Sequence, residues 1–283
     1  MRSAAADYEL AAARTLPEAL TLVGDGWKPI AGGTDLMVLF EAGKLDHRRL
    51  VSLRGLAELH GIEISPEGAS LGALTTYTDV RRHDGLARDY PLLAAAASET
   101  GGIATQNRGT IGGNIVNASP AADTPPALLV YEAALELVSA GGARQIPYLG
   151  FHTGYKRMQL APGEILSRVL IPAPAPGARH YYRKTGTRRA QAISKVVMAG
   201  LLWSESGRVR DARIALGSVA PTVIRCVATE SLLRGRMLDA ALIAEAQAAL
   251  AGEISPVDDL RSTARYRRRV AQNLLAEFLG PSP

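Results

Sequence analysis

The chain has 283 residues, enough for two or three small domains that each bury a core. Its hydrophobic fraction of 47%, with 28 glycines and 16 prolines, excludes a disordered chain and points to a globular protein rich in turns. One cysteine, Cys226, excludes an intramolecular disulfide and an iron–sulfur or structural zinc centre built by this chain alone, because each needs several thiolates. The net charge of +5 is scattered except for Arg183–Lys184 with Arg188–Arg189, and Arg265 with Arg267 to Arg269. Few aromatic residues lie between these clusters to stack on bases, so the second is expected to solvate a helix or face another subunit, with nucleic-acid binding as a rival.

The first residues carry acids at Asp7 and Glu9 and no unbroken apolar run, so neither a signal peptide nor a membrane span is expected and the chain reads as cytoplasmic. Helical patterning over Leu16 to Gly24, an apolar segment at Lys28 to Ala31, a helix from Leu36 to Ala42 and a strand at Arg49 to Leu53 suggest a small α/β unit. From Leu59 to about Pro172 the pattern changes to short strands: Gly61 to Ile64, Ala69 to Leu74, Leu135 to Val138 and Ile165 to Ile171. One helix, Leu92 to Thr100, is expected among them, and the Ala/Pro/Ser-rich stretch to Pro126 reads as irregular.

The run from Pro172 to Gly177 has alternating prolines, which forbid helix and deny sheet donors, so a linker is expected there. Strands follow at Tyr181 to Lys184, Ile193 to Trp203 and Val209 to Ser218. Helices are expected at Val227 to Leu233, Ala240 to Leu250 and Ser262 to Leu279. The boundaries read as an N-terminal region 1–172, with subdomains of about 1–58 and 59–172, a linker 173–178 and an α+β domain 179–283.

Two glycine-rich turns stand out: Ala31-Gly32-Gly33-Thr34-Asp35, and Arg108 to Asn114 with Gly109, Gly112 and Gly113. A turn free of β-carbons lets successive N–H groups converge on an anion, and two such turns could grip a diphosphate from both sides. Taken singly, each is also ordinary turn chemistry. Neither is the GxGxxG fingerprint of a nicotinamide site nor a phosphate loop ending in Gly-Lys-Ser/Thr. The five histidines, His47, His60, His83, His152 and His180, have no metal-ligand spacing, and no nucleophile or acid–base dyad is apparent.

The segments AGGTDLM (Ala31 to Met37) and RGTIGGNIVNASPAADTPPALL (Arg108 to Leu129) resemble the FAD-binding medium subunit of the xanthine dehydrogenase and carbon monoxide dehydrogenase family. Leu71 to Val80, Gly163 to Pro172, Tyr181 to Ala199 and Ile214 to Arg225 extend the resemblance over nearly the whole chain. It implies an α+β fold: a PCMH-type FAD-binding region of two α/β subdomains, then a C-terminal domain of the carbon monoxide dehydrogenase flavoprotein kind. It also implies that Gly32, Gly33, Thr34 and Asp35, next to Ala31, bind the FAD diphosphate from one side, and Thr110, Ile111, Gly112, Gly113 and Asn114 from the other.

By the same resemblance Asp123 contacts the nucleotide end, Leu166 packs on the flavin and Lys184 lies near the ring. Thr75 and Thr76 run beside the ring with less weight, while Tyr77 and Tyr155 are read as packing. A bulky residue at Gly112 or Gly113 is expected to abolish FAD retention by displacing backbone from phosphate. The implied partners are a molybdopterin-binding large subunit and a small subunit with two two-iron two-sulfur clusters, with electrons passing on to NAD, a quinone or oxygen. A stand-alone FAD oxidase of the wider superfamily is the other enzymatic reading.

Overall fold

The computed structural model describes residues 8–173, 176–188 and 191–280. Outside these lie Asp7 of the expected leaderless N-terminus, Pro174 and Ala175 of the expected linker, and Arg189 of the first basic cluster.

The first unit runs β1 (Glu9–Ala12), α1 (Leu16–Gly24), β2 (Lys28–Ile30), α2 (Leu36–Glu41) and β3 (Arg49–Ser52). Its strands form a parallel sheet in the order β1-β3-β2. Parallel strands require crossovers: α1 carries the chain from β1 past β3 to β2, and α2 lies in the return from β2 to its neighbour β3. The Thr15 hydroxyl caps α1 by accepting from the Glu18 amide at 3.3 Å, and Pro17 sits in the first turn, where no amide partner is lost. Ala19, Leu20 and Val23 then bury one helix face against Val51 and Leu53. By contrast, α2 is almost wholly apolar yet buries none of its residues.

The second unit is β4 (Ile62–Ser65), β5 (Gly68–Gly72), α3 (Tyr77–Arg82), α4 (Asp84–Asp89), α5 (Pro91–Glu99), α6 (Ile103–Gln106), α7 (Ile111–Asn117), α8 (Pro125–Val130), β6 (Ala134–Ser139), β7 (Gly142–Pro147), the hairpin β8 (His152–Gly154) and β9 (Arg157–Met158), and β10 (Ile165–Pro172). An antiparallel sheet of order β4-β5-β10-β6-β7 carries these helices. One helix was expected here, and the structure has six. The helices are short, so hydrophobic periodicity cannot develop, and local caps define them instead: Thr76 and Asp79 form a reciprocal capping box on α3. The stretch expected to be irregular contains α8, whose Pro125 and Pro126 occupy first-turn positions that tolerate proline.

The third unit runs β11 (Arg179–Thr185), β12 (Val196–Glu205), β13 (Arg208–Gly217), β14 (Ile224–Arg225), α9 (Val227–Leu233), α10 (Ala240–Glu253) and α11 (Ala264–Leu279). Its antiparallel sheet keeps sequence order. One face, with Met198 and Ile214, packs on the helices through Leu242, Ala246, Leu275 and Phe278. The other face, with Ala199, Leu201 and Ala215, joins the core of the second unit. Burial on both faces explains why Val196 to Leu202 is an unbroken apolar run instead of an alternating one. Among the described residues, no helix is long and apolar enough to cross a membrane.

Candidate functional site

The first glycine turn follows β2 at the edge of its sheet. Gly33 has φ +74, a backbone conformation that favours glycine, and its carbonyl accepts from the Met37 amide at 2.9 Å to open α2. The amides of Gly32, Gly33, Thr34 and Asp35 find no acceptor among the described residues. Four consecutive donors without an acceptor, at a partly exposed turn, are chemistry that suits an anion. Lys28 and Lys156 lie within electrostatic reach, and Asp35 with them. Burial pushes the Lys156 ammonium below its ordinary range, while Asp35 acts in the opposite direction.

The second glycine segment packs against the first. A β-carbon at Gly32 would stand 1.8 Å from the Arg108 carbonyl oxygen and 3.1 Å from the Gly109 α-carbon, so only glycine permits the approach. A β-carbon at Gly113 would point towards Ala31, 3.8 Å away. Eighty residues of chain thus close into one small-residue seam.

The two segments are nonetheless built differently. Gly112, Gly113 and Asn114 are not a loop: they form the first turn of α7, whose cap is Thr110. The Ile111 amide donates to the Thr75 carbonyl at 3.0 Å and the Gly112 amide to the Ala73 carbonyl at 2.9 Å. The amide of Gly113 donates to Thr110 Oγ1 at 3.0 Å and that of Asn114 to the Thr110 carbonyl at 3.0 Å. The expected second set of anion-binding amides is therefore occupied within the chain. What this side offers is the Thr110 amide and the free end of the Asn114 carboxamide, whose oxygen accepts from Thr124 Oγ1 at 2.7 Å. A β-carbon at Gly112 would lie 2.6 Å from that of Ala73, so the chain's own packing calls for glycine there.

Thr75 and Ala73 are themselves held by the sheet. The Ala73 amide donates to the carbonyl of Ser167, which sits at the bulge of β10 between Leu166 and Arg168. Leu166 pairs with Leu137 and is buried in the core beside that bulge. Thr75 is buried with its hydroxyl on the Gly61 carbonyl, and Thr76 caps α3, so neither side chain is free to reach a ligand. Tyr77 is buried, as read from the sequence, and Tyr155 is instead exposed at the tip of the β8–β9 hairpin.

At the seam between the second and third units, Lys184 Nζ lies 2.8 Å from Asp123 Oδ2, and both side chains are buried. Lys184 also donates to the Glu99 carbonyl at 2.7 Å, and the Ser194 hydroxyl donates to Asp123 Oδ1. The Tyr182 hydroxyl donates to the Asp123 carbonyl at 3.2 Å. Burial pushes the Asp123 carboxyl up, while Lys184 and Ser194 hold it down. Asp123, expected at the nucleotide end, and Lys184, expected near the ring, meet here as one ion pair.

The family model described as the FAD binding domain in molybdopterin dehydrogenase matches residues 6–174, and the CO dehydrogenase flavoprotein C-terminal domain matches residues 180–281. The chain belongs to the FAD-binding subunits of the molybdenum hydroxylase family. It is 33% identical to the xanthine dehydrogenase FAD-binding subunit of Escherichia coli O157:H7 over 97% of this chain and 94% of that one. It is 30% identical to the carbon monoxide dehydrogenase medium chain of Hydrogenophaga pseudoflava, covering 96% of each. A solved carbon monoxide dehydrogenase from Hydrogenophaga pseudoflava, lacking the Mo-pyranopterin moiety, superposes with a TM-score of 0.92 at 29% identity and 95% coverage of both chains.

For a flavin subunit of an oxidoreductase, the residues present fit the cofactor the family binds: amides without an acceptor among the described residues, two lysines and a seam lined by small residues suit a diphosphate. Sequence reasoning missed Lys28, Lys156 and Ser194. Lys156 sits at the turn between β8 and β9, where its Nζ donates to the Asn117 carbonyl at 2.7 Å, and no motif announces it. Ser194 could have been noticed only through its place in the segment Tyr181 to Ala199. Of the second basic cluster, Arg267 is buried, which removes the continuous surface stripe that nucleic-acid binding requires.

Proposed function

We propose that the chain holds FAD across the seam of its two glycine segments and relays electrons between partner iron–sulfur clusters and a terminal acceptor. The observation that carries this reading is the contact of Gly32 with the Arg108 carbonyl beside four free amides. In this reading Gly32, Gly33, Thr34 and Asp35, beside Ala31, donate to the diphosphate from one side. Thr110 and Asn114 complete the other side, with Gly113 facing Ala31 and with Ile111 and Gly112 anchoring that wall on Thr75 and Ala73. Lys28 and Lys156 balance its charge. Asp123, Lys184 and Ser194 form a polar corner at one end of the cofactor, and Leu166 backs the sheet behind it.

Bound FAD supplies a redox centre that takes electrons singly or in pairs. The chain's own residues bind it, orient it and keep water from its buried end. No proton donor or nucleophile of this chain need act on an organic substrate. Such a relay works only beside a cluster, so the partners are a molybdopterin-binding large subunit and an iron–sulfur small subunit, and the acceptor is NAD, a quinone or oxygen. The division into 1–172 and 179–283 about the segment 173–178 belongs to the same reading, as does cytoplasmic residence, in keeping with one buried free cysteine.

Titrating the purified chain with FAD and with riboflavin, followed by flavin fluorescence, tests it. FAD should bind at least roughly 100-fold tighter, since riboflavin lacks the diphosphate, a difference of about 2.7 kcal/mol. Equal affinities, or a colourless chain that retards DNA, would overturn the reading.

A further inference from the structure

One member of the basic run on α11 is out of place for a surface cluster. Arg267 is 4% exposed. A guanidinium so deeply buried needs partners, and Arg267 has three: Nη1 donates to the Lys195 carbonyl at 2.7 Å and to the Ser218 carbonyl at 3.1 Å, and Nη2 meets Asp259 Oδ1 at 2.8 Å. Lys195 follows Ser194, whose hydroxyl holds Asp123. Ser218 holds the same residue from the other side, its hydroxyl donating to the Ser194 carbonyl at 2.8 Å, while its amide donates to the Pro120 carbonyl at 2.7 Å. The Lys195 amide in turn donates to the carbonyl of Thr185, the neighbour of Lys184.

We propose that Arg267 is a positioning residue for the flavin site: it fixes the carbonyl of Lys195, next to Ser194, and that of Ser218, whose hydroxyl holds the Ser194 carbonyl, and Ser194 sets the carboxylate of the Asp123–Lys184 pair. The inference rests on the reading that this pair borders the FAD. A planar guanidinium reaches two carbonyls and a carboxylate at once, which an ammonium on a shorter, unforked stem does not. The second basic cluster therefore divides by role: Arg265 and Arg269 face solvent, and Arg267 braces the site from within.

The test uses the full chain loaded with FAD and reads the flavin midpoint potential and the FAD dissociation constant in Arg267→Lys, Ser194→Ala, their double variant, Ser218→Gly and Asp123→Asn. Ser218 has φ +66, so glycine suits its backbone and that variant keeps the fold while deleting the hydroxyl. Arg267→Lys and Ser218→Gly should each shift the potential in the direction Ser194→Ala does and weaken FAD about tenfold, and Arg267→Lys should add little once Ser194 is alanine. Unchanged potential and affinity in both Arg267→Lys and Ser218→Gly, with Asp123→Asn altered, would overturn the role of Arg267 alone. Additive effects in the double variant would overturn it too. Should Asp123→Asn also change nothing, the placement of the pair at the flavin fails instead. If Arg267→Lys does not fold, Asp259→Asn, which removes the charge of the carboxylate that Arg267 meets, decides by the same readings.

Discussion

The two glycine segments look alike on paper and differ in what their glycines are for. In the first, Gly33 provides a left-handed turn and Gly32 a bare surface, and four amides find no acceptor among the described residues. In the second, the amides from Ile111 to Asn114 are all taken, by Ala73, Thr75 and the Thr110 cap, and Gly112 is small so that a helix can lie on Ala73. One segment is a donor surface. The other is a rigid wall, anchored through Ala73 to the bulge at Ser167, against which the first is held. Composition alone cannot separate these, because glycine relieves steric conflict with a ligand and with the protein's own backbone in the same way.

Substitution can separate them. The largest effect is expected at Gly32: Gly32→Val places carbon where the Arg108 oxygen lies, forces the segments apart, and should weaken FAD by roughly 100-fold or more, about 2.7 kcal/mol. Retained affinity would mean that the seam is not the binding site. Next is Gly112→Ala, which overpacks Ala73 and should destabilise the apo chain by about 1–3 kcal/mol in urea unfolding, with FAD affinity of the folded fraction little changed. Lost affinity at full apo stability would show instead that Gly112 touches the cofactor. Thr110→Ala removes the cap of α7 and should cost about 1 kcal/mol, with a further loss of FAD affinity if the threonine also meets the ligand.

The smallest effect is on the alkaline side. Burial lowers the Lys156 pKa from 10.5, so its charge beside the first turn is lost before that of an ordinary lysine. FAD affinity should fall as pH rises through this lowered value, by about threefold, and Lys156→Met should flatten the profile. Stability runs the other way: the folded chain binds fewer protons than the unfolded one in the window below 10.5, so the linked term favours folding as pH rises there. An unchanged profile in Lys156→Met would detach that lysine from the turn.

Much of this was legible in the residues. Long segments with one strong pattern, such as Leu16 to Gly24, Val196 to Trp203 and Ala264 to Leu279, declare their class because burial imposes a period on them. Apart from α5, expected at Leu92 to Thr100, the short helices between Tyr77 and Val130 do not, since two turns or fewer carry too few residues for a period, and their caps at Thr76, Thr110 and Thr124 look like loop residues. The strand Glu9–Ala12 was equally silent, being partly exposed and only four residues long. In the site, the glycine segments could be found but not told apart. The Asp123–Lys184 pair could be named residue by residue, yet its meeting across 61 positions depends on how the second and third units pack. Lys156 was invisible as a functional candidate because a lone cation reads as a solvated one, and Arg267 was read only as a member of a basic cluster.

The most direct measurement follows the backbone amides themselves, by recording ¹⁵N–¹H resonances of the labelled chain while FAD is added. Large downfield proton shifts at Gly32, Gly33, Thr34 and Asp35, with Ile111 and Gly112 nearly still, are the predicted result. Shifts concentrated at Ile111 to Asn114 with the first turn unmoved would contradict the assignment of donor and wall.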